Sequence, residues 1–490
     1  MTNGIGRKLK IAVIGAGASG VMAVIRLREI GQDDVRIFEK ASDMGGTWRD
    51  NRYPGVACDV PSHLYRLSFE PNPDWTHVYS PGKEIWAYLR DVFNRHGIGD
   101  RIVYDAEVMK ADFVDGRWLL ETKAGNFGPF DVVITAMGIL RYPLYPKIEG
   151  LESFAGITMH SARWDEGLEL AGKRVGLIGC GSTGVQMATA MASKVGHLSL
   201  FQRTPQWILA SSNVEISEEE KESYRRNPEL MQQRYDYLAG EFNSRYAAAV
   251  VGDNPEAYER MVQACEQNLE NNVRDPELRE KLRPDYKVGC RRLVISDGFY
   301  DAVQRPNVEL VTEAIERIEP QGIRTADGRL HEIDILALAT GYDAHAGLAP
   351  MQVTGKDGLT LDEAWSEAQH AYLGVCVPEF PNFFMIGGPS SPIGNFSFLM
   401  TAETQMGYIL GLVKHIAAAP GVEIHPRVET MDKLYQDIAE RMPRTIWATG
   451  CKSWYMDKNG QIALWPWSYE RFENVLREPD LEEFHVSAGH

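Results

Sequence analysis

Short apolar runs alternate with amphipathic stretches in both halves of the chain, which is the pattern of an α/β protein. Residues 9–14 are nearly all apolar and predict a strand. Residues 21–30 repeat apolar positions at helical spacing, Gly31 ends that helix, and residues 35–38 predict the next strand. A strand, a helix and a strand in this order predict a βαβ unit at the start of the chain.

The same pattern returns later and predicts a second unit. Residues 173–178 and 197–201 are predicted strands on either side of a helix, and residues 334–338 predict a further buried strand. Residues 381–387 and 401–418 predict a last strand and a last helix. We expect these two elements to complete the first unit, so that the second unit is inserted within the first.

Residues 211–286 differ from both units, because Glu, Arg, Gln and Tyr dominate and β-branched residues are few. Ser217 and Glu220 predict a capping box, and apolar residues recur beyond it at helical spacing. We therefore predict an α/β fold with two Rossmann-like dinucleotide-binding domains and a helical insertion. The predicted bounds are 1–145 with 380–490 for the first domain, 146–379 for the second domain, and 209–287 for the insertion within it.

The net charge and the cysteine pattern limit which partners the protein can bind and which cellular compartment suits it. The 490 residues carry a formal net charge of -17, which argues against nucleic acid and anionic membranes, since both bind basic patches. No apolar run approaches the roughly 18 to 20 residues of a bilayer span. The six cysteines include no C-x-x-C pair. We therefore expect isolated thiols in a reducing cytoplasm, with no metal site and no redox-active dithiol.

A G-x-G-x-x-G motif, formed by Gly15, Gly17 and Gly20, joins the first strand to the first helix. In such a turn the first glycine permits the tight bend, the second lets the backbone approach a pyrophosphate, and the third allows close helix packing. Glu39 ends the second strand, where a carboxylate accepts the ribose hydroxyls of an adenosine. Because this acid would repel a 2′-phosphate, the first site is better matched to FAD.

Gly179, Gly181 and Gly184 repeat the motif in the second unit. The strand that follows ends in Arg203 and Thr204 instead of an acid. A guanidinium and a hydroxyl suit a 2′-phosphate, so this site should prefer NADPH to NADH. Two complete motifs therefore predict one flavin and one nicotinamide cofactor.

Several further motifs resemble those of the type I Baeyer-Villiger monooxygenases and stand in that family's order. The family fingerprint, F-x-G-x-x-x-H-x-x-x-W followed by Pro or Asp, lies between the two glycine motifs as Phe154, Gly156, His160, Trp164 and Asp165. The related flavin-containing N- and S-monooxygenases usually carry another aromatic residue in place of this Trp. Four more stretches match the Baeyer-Villiger family: residues 46–55 (GTWRDNRYPG), 201–205 (FQRTP), 339–341 (ATG) and 372–374 (YLG).

The resemblance implies that NADPH and dioxygen oxidise a ketone to an ester or lactone through a flavin C4a-peroxide, with sulfoxidation as a side activity. It implies that Arg292 is the catalytic cation, which stabilises the peroxide anion and the adduct. Asp59 matches the carboxylate that positions this arginine, and Asp59 and Trp48 are implied to contact cofactor. Arg291 stands where the family has Lys, and the family's Lys lies near the 2′-phosphate of NADPH.

The resemblance also implies that His160 and Trp164 couple the two domains and do not transfer protons. Trp454 matches the Trp of a mobile C-terminal loop that reaches the nicotinamide cofactor. The Asn-x-Pro-Gly-Lys run often found after that Trp is absent, and residues 456–460 (MDKNG) stand in its place.

Three other functions compete with ketone oxidation. A flavin-containing N/S-monooxygenase would oxygenate amines or thioethers only. A disulfide reductase with two dinucleotides would need a redox-active cysteine pair, and none is spaced for it. A non-catalytic nucleotide sensor would bind nucleotide without consuming oxygen. The sequence leaves open which ketone is the substrate and what the oligomeric state is.

Overall fold

The computed structural model describes residues 7–487 and contains one parallel five-stranded sheet in each nucleotide-binding unit. All four residues of the strand Ile11–Ile14 are buried, because a helix packs on one face of the sheet and antiparallel strands within residues 108–130 pack on the other. The predicted α/β fold with two Rossmann-like units is confirmed. The first sheet has the strand order Phe383–Met385, Val132–Thr135, Ile11–Ile14, Val35–Phe38 and Ile102–Val103.

The second sheet is also parallel throughout. Its edge strand, Ile157–His160, pairs with Ile335–Leu338. The fingerprint is therefore partly a strand of the second sheet. The order of this sheet is Val308–Val311, His197–Phe201, Arg174–Ile178, Ile335–Leu338 and Ile157–His160.

Four smaller sheets complete the strand content of the described residues. Their strands are Val108–Val114, Arg117–Thr122 and Gly125–Phe130 with Gln352–Thr354; Ile315–Glu319, Gly322–Thr325 and Leu330–Glu332; Ile208–Leu209 with Val294–Ile295; and Glu423–Pro426 with Phe484–Ser487. Gln352–Thr354 pairs with Val108–Val114 of the first unit. The chain therefore returns to the first unit before the predicted residue 380, while the predicted outer bounds, 1 and 490, lie outside the described residues.

The two motif helices, Ala18–Glu29 and Ser182–Met191, each begin directly after a glycine turn. Phe398–Ile416 packs against Ala18–Glu29 and completes the first unit from the C-terminal side, as predicted. The other helices outside the insertion are Thr47–Asp50, Gly82–Arg95, Phe299–Val303, Leu361–Ala364, Val428–Arg441 and Tyr469–Val475. The 3-10 turns are Gly99–Arg101, Leu151–Ser153, Ser161–Arg163, Lys356–Gly358, Met442–Arg444, Ile446–Thr449 and Leu481–Glu483.

The insertion is helical, as predicted. Its α-helices are Glu218–Arg226, Pro228–Glu241, Ala248–Val250, Pro255–Asn272 and Pro276–Leu282, and the segment Phe242–Ala247 is a π-helix. The predicted capping box is only half formed. Ser217 accepts a hydrogen bond from the backbone N–H of Glu220, but the Glu220 carboxylate accepts from the Tyr224 hydroxyl and does not return to the cap.

No helix within residues 7–487 combines the length and the apolar character that crossing a bilayer requires. Over the same residues, no group of His, Cys, Asp and Glu side chains is arranged to hold a metal ion. The cytoplasmic location stays a prediction.

Candidate active site

In the first glycine turn, the fold requires glycine at two positions and does not require it at the third. Gly15 has φ +106°, and a Cβ there would lie 2.7 Å from the Ala136 carbonyl oxygen. A Cβ on Gly20 would lie 1.9 Å from the Gly15 carbonyl oxygen. Gly17 has an ordinary φ of -78°, and the nearest atom to a Cβ there is the Gly46 Cα at 3.7 Å. The missing side chain of Gly17 therefore leaves room for a ligand.

A cleft of about 940 Å³, open to solvent, runs along this turn. Glu39, Trp48 and Tyr65 contribute to its lining. The Glu39 carboxylate accepts hydrogen bonds from the backbone N–H groups of Ala16 (2.8 Å) and Ala41 (3.0 Å) and from Arg49 (3.1 Å). A carboxylate offers about four acceptor positions, so Glu39 keeps capacity for a ribose hydroxyl. Trp48 is held in the cleft wall because its indole N–H donates to the Tyr65 hydroxyl (3.2 Å).

The second turn repeats this geometry. A Cβ on Gly179, at φ +113°, would lie 2.4 Å from the Ala339 carbonyl oxygen. A Cβ on Gly184 would lie 1.9 Å from the Gly179 carbonyl oxygen. Gly181 has φ -71°, and a Cβ there would meet no atom within 4 Å. Each turn thus presents backbone with an open position at its second glycine, which fits the pyrophosphate of a dinucleotide.

Arg203 and Thr204 follow the second strand of this unit, as predicted. Arg203 is exposed and Thr204 is half-buried. Within residues 7–487, neither Arg203 nor Arg291 forms an ion pair. Both guanidinium groups are therefore available for an external anion.

Arg292 and Asp59 form a bonded pair, although 233 positions separate them in the chain. The Arg292 Nε and Nη2 groups donate to the same carboxylate oxygen, Asp59 Oδ2, at 2.9 and 2.6 Å. Asp59 raises the pKa of the Arg292 guanidinium, more than burial lowers it. The two side chains keep 30% and 24% of their surface exposed, so the cation can meet a reacting molecule.

The loop that carries Asp59 crosses from the first unit to the second. The Tyr53 hydroxyl donates to Gln186 Oε1 (2.8 Å), and the Gln186 amide donates to the Ala57 carbonyl (3.0 Å). A Cβ on Gly55 would lie 2.6 Å from the Gln186 carbonyl oxygen, so only glycine allows this close approach. The part of the loop that leads to Asp59 is thus held against a helix of the second unit.

His160 of the fingerprint lies at one end of a hydrogen-bonded chain that runs through Thr340 to Leu144. Its Nδ1 accepts from the Ala162 N–H (3.0 Å), so its Nε2–H faces Thr340 Oγ1 (3.3 Å). The Thr340 hydroxyl in turn donates to the Leu144 carbonyl (2.6 Å). Burial, with the charge of Arg163, lowers the pKa of His160, which favours the neutral ring. These contacts are consistent with a coupling role and involve no acid–base partner.

The remaining fingerprint residues are structural as well. Trp164 is buried in the core of the second unit, where Tyr53 of the first unit also packs. Gly156 lies so close to the backbone that a Cβ would be 2.4 Å from the Asp334 carbonyl oxygen and 2.6 Å from the Phe154 ring. The Asp165 carboxylate accepts from the Gly167 N–H (2.9 Å).

Trp454 keeps 38% of its surface exposed and packs against Tyr455 in a tilted arrangement, with ring centres 4.6 Å apart. Both rings line a second cleft of about 900 Å³. The unusual loop after them is closed by its own turn, since Asp457 Oδ1 accepts from the N–H groups of Asn459 and Gln461. The Lys458 side chain donates to the Ser366 carbonyl, and the Asn459 side chain donates to the Glu367 carbonyl. The loop is therefore held against residues 366–367, although it lacks the Asn-x-Pro-Gly-Lys sequence that is usual in the family.

Cys290 and Cys451 form a disulfide, with Cα atoms 6.2 Å apart and 161 positions between them. The expectation of six isolated thiols is therefore wrong for this pair, while the other four cysteines are free and buried. Spacing could not reveal a bond between residues so distant in sequence. The bond joins the residue beside Arg291 and Arg292 to the segment that leads to Trp454.

Thiol titration in denaturant should find four reactive thiols before reduction and six after it. Because the bond restricts the unfolded chain, Cys451→Ser should lower the free energy of unfolding by about 2–4 kcal/mol. Urea unfolding measures this change, and wild-type protein unfolded with its disulfide reduced, which should lose a similar amount, is the control. Six thiols without any reductant would contradict the bond.

Comparison with known proteins agrees with this geometry. The profile described as flavin-binding monooxygenase-like matches residues 8–348. The chain belongs to this family. This monooxygenase is 44% identical over 480 residues to an uncharacterized monooxygenase of Mycobacterium tuberculosis, covering 98% of this chain and 96% of the relative. It is 37% identical over 483 residues to a Baeyer-Villiger monooxygenase of Streptomyces coelicolor, covering 98% and 92% of the two chains.

Among solved structures, the flavin-binding monooxygenase resembles cyclohexanone monooxygenase from Rhodococcus sp. Phi1 bound to NADP+. The TM-score is 0.87 at 28% identity, over 99% of this chain and all of that chain. The predicted relationship to Baeyer-Villiger monooxygenases is confirmed, and so is the assignment as a flavin-dependent oxidoreductase. The roles of individual site residues stay predictions.

Proposed function

We propose that this monooxygenase uses NADPH and dioxygen to oxidise ketones to esters or lactones, with FAD bound in the first cleft. The main support for this proposal is the Arg292–Asp59 pair. It brings a permanent cation from the second unit to a carboxylate on the glycine-rich loop of the first unit. A Baeyer-Villiger reaction needs such a cation, because negative charge develops on oxygen during the attack on the carbonyl.

The flavin, when bound, supplies the activation of dioxygen. The chain's own residues must then stabilise charge without delivering a proton to the attacking oxygen. Arg292 meets this requirement because a guanidinium does not lose its proton in a protein, and Asp59 raises its pKa further. Asp59 Oδ2 takes up Nε and Nη2, which leaves Nη1 to face the reacting oxygen. Among residues 7–487, Nη1 has no hydrogen-bond acceptor.

The assignment of the two cofactors follows from charge. Glu39 lines the first cleft and would repel a 2′-phosphate, so this cleft is assigned to FAD. Arg203 and Arg291 are unpaired within the described chain and lie in the second unit, which is assigned to NADPH. A solved structure of the same fold is bound to NADP+, which supports the use of this cofactor.

An activity panel tests the proposal. The purified, flavin-loaded protein is given NADPH with cyclic, aromatic and long-chain ketones, and separately with thioethers and amines. We expect ketones to yield esters or lactones, and thioethers to yield some sulfoxide. Oxygenated thioethers or amines with no ester from any ketone would favour an N/S-monooxygenase, and absence of oxygen consumption would favour a nucleotide sensor.

Arg203→Ala should raise the KM for NADPH about ten-fold and leave the KM for NADH nearly unchanged, because a charge-assisted phosphate contact contributes about 1.5–3 kcal/mol and exposure reduces that value. Arg305 is an exposed arginine at the opposite end of the same sheet, before Val308–Val311. Arg305→Ala is the control and should change neither constant. A wild-type preference for NADH would refute the role of Arg203.

A further inference from the structure

In the predicted NADPH site, Arg291 stands where the family has a lysine. The structure shows how this arginine is held. Its guanidinium carbon lies 4.9 Å from the centre of the Tyr286 ring. Its Nε is buried and has no hydrogen-bond partner within the described chain. A cation over an aromatic face is held by the ring quadrupole, but the ring does not satisfy its N–H donors. Arg291 is thus oriented and still has donors to offer.

Tyr286 is itself fixed to the segment that follows Arg203 and Thr204. Its hydroxyl lies 3.0 Å from the Pro205 carbonyl oxygen and 3.2 Å from Gln206 Oε1. Its own carbonyl accepts from the Trp207 indole N–H at 2.7 Å. Burial raises the pKa of Tyr286 to about 12, so the hydroxyl stays protonated and can donate.

Strand pairing holds the two arginine-bearing segments side by side. Ile208–Leu209 pairs in parallel with Val294–Ile295, and Ile208 stands opposite Val294. Three positions before Val294 stands Arg291, and three before Ile208 stands Pro205, the carbonyl that Tyr286 contacts. The pairing and the tyrosine therefore fix Arg291 relative to the segment that directly follows Arg203.

We propose that Tyr286 is a positioning residue for 2′-phosphate recognition, which holds Arg291 beside Arg203 so that both cations meet the phosphate of NADPH. This inference rests on the proposed use of NADPH by the second unit. Tyr286 does not touch the phosphate in this account. Its contribution is to order a flexible arginine before the ligand arrives, which reduces the entropy lost on binding.

Binding calorimetry of the flavin-loaded protein with NADP+ and with NAD+ tests the inference without turnover. Tyr286→Leu should raise the Kd for NADP+ about five-fold and leave the Kd for NAD+ within about two-fold, because the lost cation–π contact acts only through the 2′-phosphate. Tyr286→Phe keeps the ring, should fold normally, and should lose less than Tyr286→Leu. KM for NADPH should rise in Tyr286→Leu without a comparable fall in kcat.

A double-mutant cycle separates positioning from packing. If Tyr286 acts through Arg291, then Tyr286→Leu in an Arg291→Ala background should not weaken NADP+ binding further. Equal losses for NADP+ and NAD+, or additive losses in the cycle, would overturn the inference. If wild-type protein shows no preference for NADP+ over NAD+, the proposed cofactor assignment fails instead, so the two failures are distinguishable.

Discussion

Replacing Arg292 with alanine should leave flavin reduction by NADPH within about three-fold of wild type and lower ester formation at least about 100-fold, the typical effect of removing a donor that stabilises an oxyanion. The two steps separate because Arg292 contacts Asp59 and leaves Nη1 for the reacting oxygen. Hydride transfer to the flavin needs no charge at that position. NADPH oxidation should therefore continue and yield hydrogen peroxide.

Stopped-flow absorbance measures the reductive step, and gas chromatography measures the ester. Arg292→Lys is the informative partner variant, because it keeps a cation but loses the planar fork that bonds Asp59. We expect it to recover only part of the ester formation. Arg292→Ala removes the partner of Asp59, so thermal unfolding of the variant must show that the fold is intact. Ester formation at the wild-type rate in Arg292→Ala would remove this residue from its assigned role.

Valine at the second glycine of each motif should remove one cofactor at a time. Gly17→Val should yield colourless protein, and Gly181→Val should yield yellow protein with NADP+ affinity reduced at least about ten-fold. Neither position needs glycine for the fold, since the backbone angles are ordinary and a Cβ at either position would meet open space or a normal contact. The added methyl groups occupy the space into which a pyrophosphate would approach.

The flavin absorbance of the purified variants and calorimetry with NADP+ provide the two readouts. Because the two turns share one geometry, each variant is the control for the other. Circular dichroism should show native secondary structure in both. Loss of flavin from Gly181→Val, with flavin retained by Gly17→Val, would reverse the assignment of the two sites.

Local patterns were sufficient to predict the two units. The strands Ile11–Ile14 and Arg174–Ile178 are continuous apolar runs that end in glycine motifs, and both elements are determined by neighbouring residues. Strands at the edge of a sheet are harder to predict from sequence. Ile157–His160 has only one buried residue of four, so its sequence does not show the apolar run that identifies a central strand.

Features that depend on distant residues could not be predicted from spacing. Cys290 and Cys451 are bonded across 161 positions, and no local pattern distinguishes them from the four free cysteines. The support of Arg291 by Tyr286 depends on the parallel pairing of two-residue strands, which are too short to leave a periodic signal. The Arg292–Asp59 pair was predicted only because a family resemblance connected the two residues.

Isotope labelling tests the central claim most directly. The flavin-loaded protein is supplied with NADPH, 18O2 and the ketones of the panel in unlabelled water, and the ester is analysed by mass spectrometry. We predict that at least one ketone gives an ester carrying one 18O atom, while the oxygen of the original carbonyl stays unlabelled. Consumption of NADPH and 18O2 with no labelled ester from any ketone would contradict the account.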